Sequence, residues 1–278
     1  MKVSIIIAFY KDLEALDLIF SALRRQTYKN FEVVIAEDDD APETKALLAK
    51  QTGLDIIHVY HPNIGRTKPV AQNNAISAST GEYLIFIDGD CVPYSTFVDG
   101  HVALAEQGKV LSGRRVNLGM KISAKLRKKT LATATLEKYY LALYPALLLD
   151  TEASHIEQGI FLNPRNTLYR ITQNRNTNLN ILGCNFSCFK SDMTAINGFD
   201  ESYGETAVSD DTDLQWRFAA YGMQLKSCKF AAVILHLYHY RSPDRYISKL
   251  TPELELMYER KKTGSYRAVI GLDQHGVK

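Results

Sequence analysis

The chain is 278 residues long, 46% hydrophobic and 23% charged, with a formal net charge of +2. That length supports a sizeable core in one large domain, and so small a net charge does not suggest a nucleic-acid binder. The four cysteines, Cys91, Cys184, Cys188 and Cys228, are too few and too scattered for a disulfide scaffold or a zinc site, and read as reduced, mostly buried thiols.

The first 115 residues alternate short apolar runs with amphipathic ones. Val3–Phe9 reads as a buried strand, being too short for a signal-peptide core. Leu13, Leu16, Phe20 and Leu23 recur at helical spacing and predict a helix over 12–26. A strand over 31–36 follows, then a helix over 42–50 opened by Pro42. Ile56–Tyr60 predicts a third strand, 70–79 a helix, and 83–87 a fourth strand. A helix over 95–107 and a strand over 110–112 complete the alternation. Strands alternating with helices imply an α/β fold, a mostly parallel sheet with helices on both faces.

The second half is less regular. Residues 121–149 read as largely helical, interrupted at Pro145, and no run is apolar enough to span a bilayer. The stretch 163–180 holds six asparagines and three arginines and is expected to be an exposed loop. A strand over 181–189, a helix over 211–221, a strand over 231–237 and a helix over 252–262 close the pattern. No linker divides the chain. One domain over 1–278 is expected, its 116–278 half, with the terminal helix, packed onto its 1–115 half. Between Arg114 and Lys129 lie seven basic residues and no acidic one, a candidate contact for anionic lipid against the plainer reading of a solvated face. The expected location is cytoplasmic, peripheral on the inner face of the membrane if that contact forms.

Ligands of open α/β sheets bind beyond the carboxyl ends of the strands. The turn after the first strand reads Ala8-Phe9-Tyr10-Lys11, without the glycines of a dinucleotide site, and the chain has no P-loop. Two strands end instead in carboxylates: Glu37-Asp38-Asp39-Asp40 and Asp88-Gly89-Asp90. Clustered carboxylates repel one another and a diphosphate, and a hard divalent cation, Mg²⁺ or Mn²⁺, relieves both. An acidic turn is usually just solvated, but its place after the continuous apolar strand YLIFI favours a ligand site.

These motifs stand in a recognisable order: SIIIAFYKDLEALDLIFSALRRQTYKNFEVVIAEDDDAPET, GEYLIFIDGDCVP, GCNFSCFKSD, INGFDE and DDTDLQWR. So arranged, the chain resembles the family 2 glycosyltransferases of the GT-A fold, with a C-terminal part similar to galactosyltransferase-type members. LSGRR and HLYH are similar to bacterial envelope-polysaccharide enzymes. The resemblance implies an inverting, metal-dependent transfer of a sugar from a UDP-sugar to a saccharide or lipid-linked saccharide, in surface polysaccharide synthesis.

It also implies roles. Tyr10 would stack on the base, with Ala8 and Phe9 lining the turn; Asp38 would accept from uracil; Asp88 would approach the ribose beside Gly89. Asp90 would bind the metal, with His236 as a further ligand and His239 in reserve. Asn185 would line the sugar pocket. Asp211 would be the general base, with Asp210 toward the acceptor; Trp216 would either face the acceptor or lie on a buried helix face. Arg66 and Lys68 are candidates for the diphosphate. The chain departs from the family pattern at Gln72, where an arginine is usual, and at Asp210, where a glutamate is. A nucleotide-sugar phosphohydrolase or nucleotidyltransferase would share the carboxylates and cation, and a non-catalytic nucleotide-binding module would leave Asp211 idle.

Overall fold

The computed structural model of the chain describes residues 1–61, 68–173, 179–203, 211–240 and 251–276. In chain order the elements are β1 (Val3–Phe9), α1 (Leu13–Arg24), β2 (Phe31–Glu37), α2 (Pro42–Leu48), β3 (Ile56–Tyr60), α3 (Lys68–Ala78), β4 (Tyr83–Asp88) and β5 (Cys91–Pro93). Then come α4 (Phe97–Leu104), β6 (Lys109–Ser112), β7 (Arg114–Asn117), α5 (Met120–Arg127), α6 (Thr133–Lys138), α7 (Tyr140–Leu148) and α8 (Thr167–Gln173). The last are β8 (Phe186–Phe189), α9 (Lys190–Ala195), α10 (Asp211–Ala220), β9 (Gln224–Ser227), β10 (Val233–His236) and α11 (Thr251–Thr263).

The described strands form a seven-stranded sheet in the order β3-β2-β1-β4-β8-β6-β9 and a three-stranded sheet in the order β5-β10-β7. The first four strands of the large sheet run parallel, and β8 runs antiparallel between β4 and β6. Strand alternation decides which layer each side chain joins. Val3, Ile5, Ile7 and Phe9 face the core under α1, whereas Ile6 joins Ala71, Ala75 and Ile76 of α3 with Leu214 and Phe218 of α10. Both faces are therefore covered, which is why β1, β2 and β4 read as continuous apolar runs.

Three expectations need correction. The loop expected over 163–180 contains α8, anchored by Tyr169, which is buried and donates its hydroxyl to the Ser227 carbonyl at 3.2 Å. The strand expected over 181–189 starts only at Phe186, because a turn closed by Asn185 N–H on the Leu182 carbonyl (2.8 Å) precedes it. The basic stretch 114–129 is not a uniform cationic face. Arg114 folds back on Ser112, Gly113 and Asn180, Arg127 grips Asp12 through two bonds of 2.6 and 2.7 Å, and Lys129 pairs with Asp17 at 2.7 Å.

One buried polar network ties the two sheets together. His101 on α4 contacts Ser187 Oγ through Nδ1 at 2.8 Å and Asn185 Oδ1 through Nε2 at 3.1 Å. The Asn185 amide donates to the carbonyls of Arg114 (2.8 Å) and Ala232 (3.0 Å), on and beside the small sheet. Tyr83 of β4 completes the chain at Ser187 (2.8 Å). Burial pushes His101 down to about 3, which keeps the ring neutral, with the Asn185 bond opposing in part.

A histidine depressed in the fold contributes stability that is complete above its unfolded value near pH 6.5 and is lost as pH falls toward about 3. The unfolded chain takes the proton first, so wild-type stability should fall with acidification across that window. The slope due to this group is up to about 1.4 kcal/mol per pH unit. Urea unfolding at several pH values, on wild type and His101→Gln, measures it. Equal pH slopes in the two proteins would contradict this assignment.

Candidate active site

The parallel register aligns the carboxyl ends of three strands: Ala8 lies opposite Ala36 and Asp88, and Phe9 opposite Glu37. The residues just beyond them are thus gathered at one rim. Asp38 N–H donates to the Phe9 carbonyl at 2.9 Å, and Gly89 N–H to the Ala8 carbonyl at 2.8 Å. At Gly89 a β-carbon would sit 3.0 Å from the Ala8 oxygen and 3.1 Å from the Phe9 ring, so the Asp-Gly-Asp turn needs glycine to lie against the end of β1. The tight contact of this glycine is thus with the neighbouring strand.

A cavity of about 360 Å³ opens at this rim. It is lined by Ala8, Phe9, Tyr10, Asp38, Asp88, Gly89, Asp90 and Lys68 from the expected set, and also by Asp12, Ala36 and His239. Tyr10 is half exposed, with Lys11 Nζ 4.6 Å from its ring centroid. Lys68 Nζ bonds Asp88 at 3.0 Å. Glu37, first of the acidic run, is fully buried and is held by Thr44 and by His58 at 2.7 Å, so it serves the scaffold. Asp38 is the member of that run at the cavity wall.

At the edge of the cavity the two sheets meet. Cys91 pairs with His236 across β5 and β10, and Leu237 N–H donates to the Asp90 carbonyl at 2.9 Å. This register brings His236 Nε2 to 3.3 Å and His239 Nε2 to 3.2 Å from Asp90 Oδ2. One donor atom from each of the three residues falls within a 4.8 Å cluster. Burial would raise the Asp90 carboxyl, but hydrogen bonds from His236 and His239 and their proximity outweigh it and hold Asp90 well below the usual carboxylate range. One carboxylate with two imidazoles suits a divalent transition ion, and the two nitrogens lean away from Mg²⁺ toward Mn²⁺. The residues fit a metal, and His239, held in reserve on sequence grounds, is as close to Asp90 as His236.

Asp211 opens α10 and accepts from Gly183 N–H at 3.4 Å. It lines a second cavity, of about 760 Å³, together with Gln215, Trp216, Met257 and Tyr258. That cavity does not share the lining of the rim site. Arg66 and Asp210 lie outside the described residues.

One expectation needs correction and another is narrowed. Asn185 is fully buried, and its amide oxygen and nitrogen both bond within the protein, so it builds the scaffold and offers nothing to a sugar. Trp216 is only 8% exposed, packs with Tyr203 and Met257, and donates its indole N–H to Asp213 at 2.9 Å. It is a core residue with one edge on the second cavity, because Asp213, buried and paired with Arg217 at 2.5 Å, draws the ring inward. Gln72 is also buried, so this position presents no charge.

Arg115 went unassigned in the sequence. It lies two residues along β7 from Asn117, which pairs with His236, and its guanidinium bonds Cys184 Sγ at 3.4 Å. The signal for it was the LSGRR segment, whose two arginines cannot be told apart until the strand alternation is known.

The comparisons with known proteins bear on the family and the fold. A family model described as "Glycosyl transferase family 2" matches residues 4–189, and one described as "N-terminal domain of galactosyltransferase" matches residues 171–240. "Glycosyltransferase AglE" of Haloferax volcanii is 28% identical over 42% of this chain and 37% of its own length. "UDP-Glc:alpha-D-GlcNAc-diphosphoundecaprenol beta-1,3-glucosyltransferase WfaP" of Escherichia coli is 30% identical over 39% of this chain and 43% of its own length. The chain thus matches less than half the length of each of these relatives. Among solved structures, S. aureus TarS is similar over 99% of this chain and 41% of its own, with a TM-score of 0.59 and 15% identity. The mannosyltransferase PcManGT of Pyrobaculum calidifontis, in complex with GDP-Man and Mn²⁺, covers 94% of this chain, which spans 64% of it, at TM-score 0.59 and 14% identity. At such identities the likeness is one of fold, and the α/β fold seen here is the GT-A fold of these neighbours.

Mn²⁺ alone should raise the melting temperature, since a ligand of the native state stabilises it by about 2.7 kcal/mol at a hundredfold excess over Kd. Asp90→Ala should abolish the rise and His239→Ala reduce it. Scanning fluorimetry in Mn²⁺ and in EDTA measures both; an undiminished rise in Asp90→Ala would show that the ion binds elsewhere.

Proposed function

The chain belongs to glycosyl transferase family 2, and from that membership we propose that it moves a sugar from a UDP-sugar to a hydroxyl of a saccharide or lipid-linked saccharide, inverting the anomeric carbon. The observation that carries this reading is the rim cavity, lined by an exposed aromatic ring, by the separate carboxylates Asp38 and Asp88, and by Asp90 and His239 of the candidate metal cluster. A nucleoside diphosphate needs that sequence of surfaces. Tyr10 stacks on the base, Asp38 accepts from the uracil imide, and Asp88 accepts from the ribose while Lys68 stands beside it toward the diphosphate. When bound at Asp90, His236 and His239, a divalent cation supplies the charge that neutralises the departing diphosphate.

Asp211 is the proposed general base. Its second cavity adjoins the turn at Gly183-Cys184, whose other side contacts Arg115. In this reading the acceptor hydroxyl attacks the anomeric carbon on the face opposite the departing diphosphate, and such in-line attack inverts the configuration. Asp211 takes the acceptor proton as the new glycosidic bond forms and the bond to the diphosphate breaks. The name of the Escherichia coli relative states a lipid diphosphate-linked acceptor, which supports a role in bacterial surface polysaccharide synthesis.

Asp211→Asn should leave folding and UDP binding nearly unchanged while lowering transfer by about 10²–10⁴-fold. NMR of the wild-type product should show inverted configuration. A retained configuration, or near wild-type turnover in Asp211→Asn, would remove Asp211 as base. Release of free sugar at equal rate with and without acceptor would favour a hydrolase. For the donor, Asp38→Ala should weaken UDP binding and narrow its advantage over GDP, read by calorimetry in Mn²⁺; an unchanged preference would take Asp38 out of base recognition.

A further inference from the structure

The basic stretch 114–129 loses Arg114 and Arg127 to the contacts above, and Arg115 to the neighbourhood of Cys184. What remains is an ordered stripe. Lys121, Lys125 and Lys128 are exposed at helical spacing along α5 and its C-terminal end, and none enters an ion pair among the described residues. Of the acidic residues that follow in the sequence, Glu152 and Glu157 are exposed, but the two nearest α5 and α7 in their contacts are taken up within the protein. Glu137 bonds Arg25 and Ser95, and Asp150 is buried, capping the first turn of α5 at Lys121 N–H (3.1 Å) and Ile122 N–H (2.8 Å).

That same cap seats the C-terminal end of α7 against the start of α5, reinforced by Met120 N–H on the Thr151 carbonyl at 2.9 Å. α7 is apolar almost throughout and buries only Tyr140 and Leu147. Its outer side carries Leu141, Pro145, Leu148 and the following Leu149, one helical stripe in which Leu141 is 70% and Leu149 85% exposed. Met120 is exposed at the junction, and Tyr139 flanks the other end of α7. The short helix cannot cross a bilayer; no helix among the described residues is long and apolar enough to do so. Apolar residues beside a lysine stripe are instead the pattern of a surface lying in a lipid interface.

We propose that the outer face of α5 and α7 docks this protein on an anionic lipid bilayer. Lys121, Lys125 and Lys128 meet the head groups, and Leu141, Leu148 and Leu149 enter the acyl boundary. A second copy of the chain is the other occupant such a stripe could take. A two-fold contact centred on the α5–α7 junction, however, brings the same unpaired lysines toward each other, which like charges oppose, whereas anionic lipid complements them. The buried side of α5 is tied to the segment that carries the candidate metal ligands: Leu118 N–H donates to the His236 carbonyl (2.9 Å), and Tyr238 N–H to Ser123 Oγ of α5 (2.8 Å). Docking would therefore set the orientation of that region relative to the membrane. This inference stands apart from the chemistry assigned to the rim cavity.

Co-sedimentation with phosphatidylcholine vesicles, with and without phosphatidylglycerol, tests it. The full chain should bind only the mixed vesicles, and less as salt rises. Replacing all three lysines (Lys121→Gln, Lys125→Gln, Lys128→Gln) should cut partitioning about a hundredfold, at roughly fivefold per charge. Leu148→Ser with Leu149→Ser should cut it at least about tenfold, and Leu149→Trp should show a blue-shifted emission on mixed vesicles. These positions are exposed, so circular dichroism should be unchanged. Equal binding to neutral vesicles, or no effect of either set of variants, would overturn the proposal. So would a leucine-dependent dimer in sedimentation velocity without vesicle binding, which would assign the face to a second copy.

Discussion

The structure depends on a single buried amide. Asn185 lies just before β8 of the large sheet, and its side chain bonds His101 on α4 and the carbonyls of Arg114 on β7 and Ala232 beside β10. A buried polar group left unpaired is costly, typically about 1–3 kcal/mol, so this residue accepts only the arrangement in which all three partners are in place. That requirement seats β7 and β10 against the end of β4, and β10 then carries His236 to Asp90. The candidate metal cluster is thus a consequence of how two sheets are joined. No one of its residues lies near another in sequence except His236 and His239.

Division of labour follows from the same geometry. The parallel strands β1, β2 and β4 deliver backbone turns and carboxylates to one rim, as open α/β sheets do. The short β10, pairing antiparallel with β5, adds the His236 imidazole from late in the chain. The acidic turn keeps one carboxylate, Asp88, with a lysine and another, Asp90, with two histidines. Two carboxylates so close in sequence therefore meet different environments and can serve different ligands.

Legibility from sequence tracked the length and contrast of the pattern. Val3–Phe9, Leu13–Arg24 and Ile56–Tyr60 were visible because apolar periodicity runs over five or more residues. β5, β7 and β9 span three or four residues and carry prolines, arginines or lysine in place of an apolar run, so no periodicity could reveal them. Of the candidate site, the rim residues were readable because they follow strong strands. Asn185 reads as a pocket residue in sequence because a motif match says that a residue matters but not whether it faces a cavity or the core. The lysine stripe was visible as composition, but which basic residues remain free depended on Asp12 and Asp17, more than 100 residues away in the chain.

The central claim is that one divalent ion is held jointly by Asp90, His236, His239 and a nucleotide diphosphate. Electron spin-echo envelope modulation of Mn²⁺ added with UDP measures all of these neighbours at once. Coupling to both ³¹P and imidazole ¹⁴N is expected, with the ¹⁴N signal lost when His236 and His239 are both replaced by alanine. A ³¹P coupling without any ¹⁴N coupling in the wild-type protein would place the ion away from this cluster and contradict the assignment.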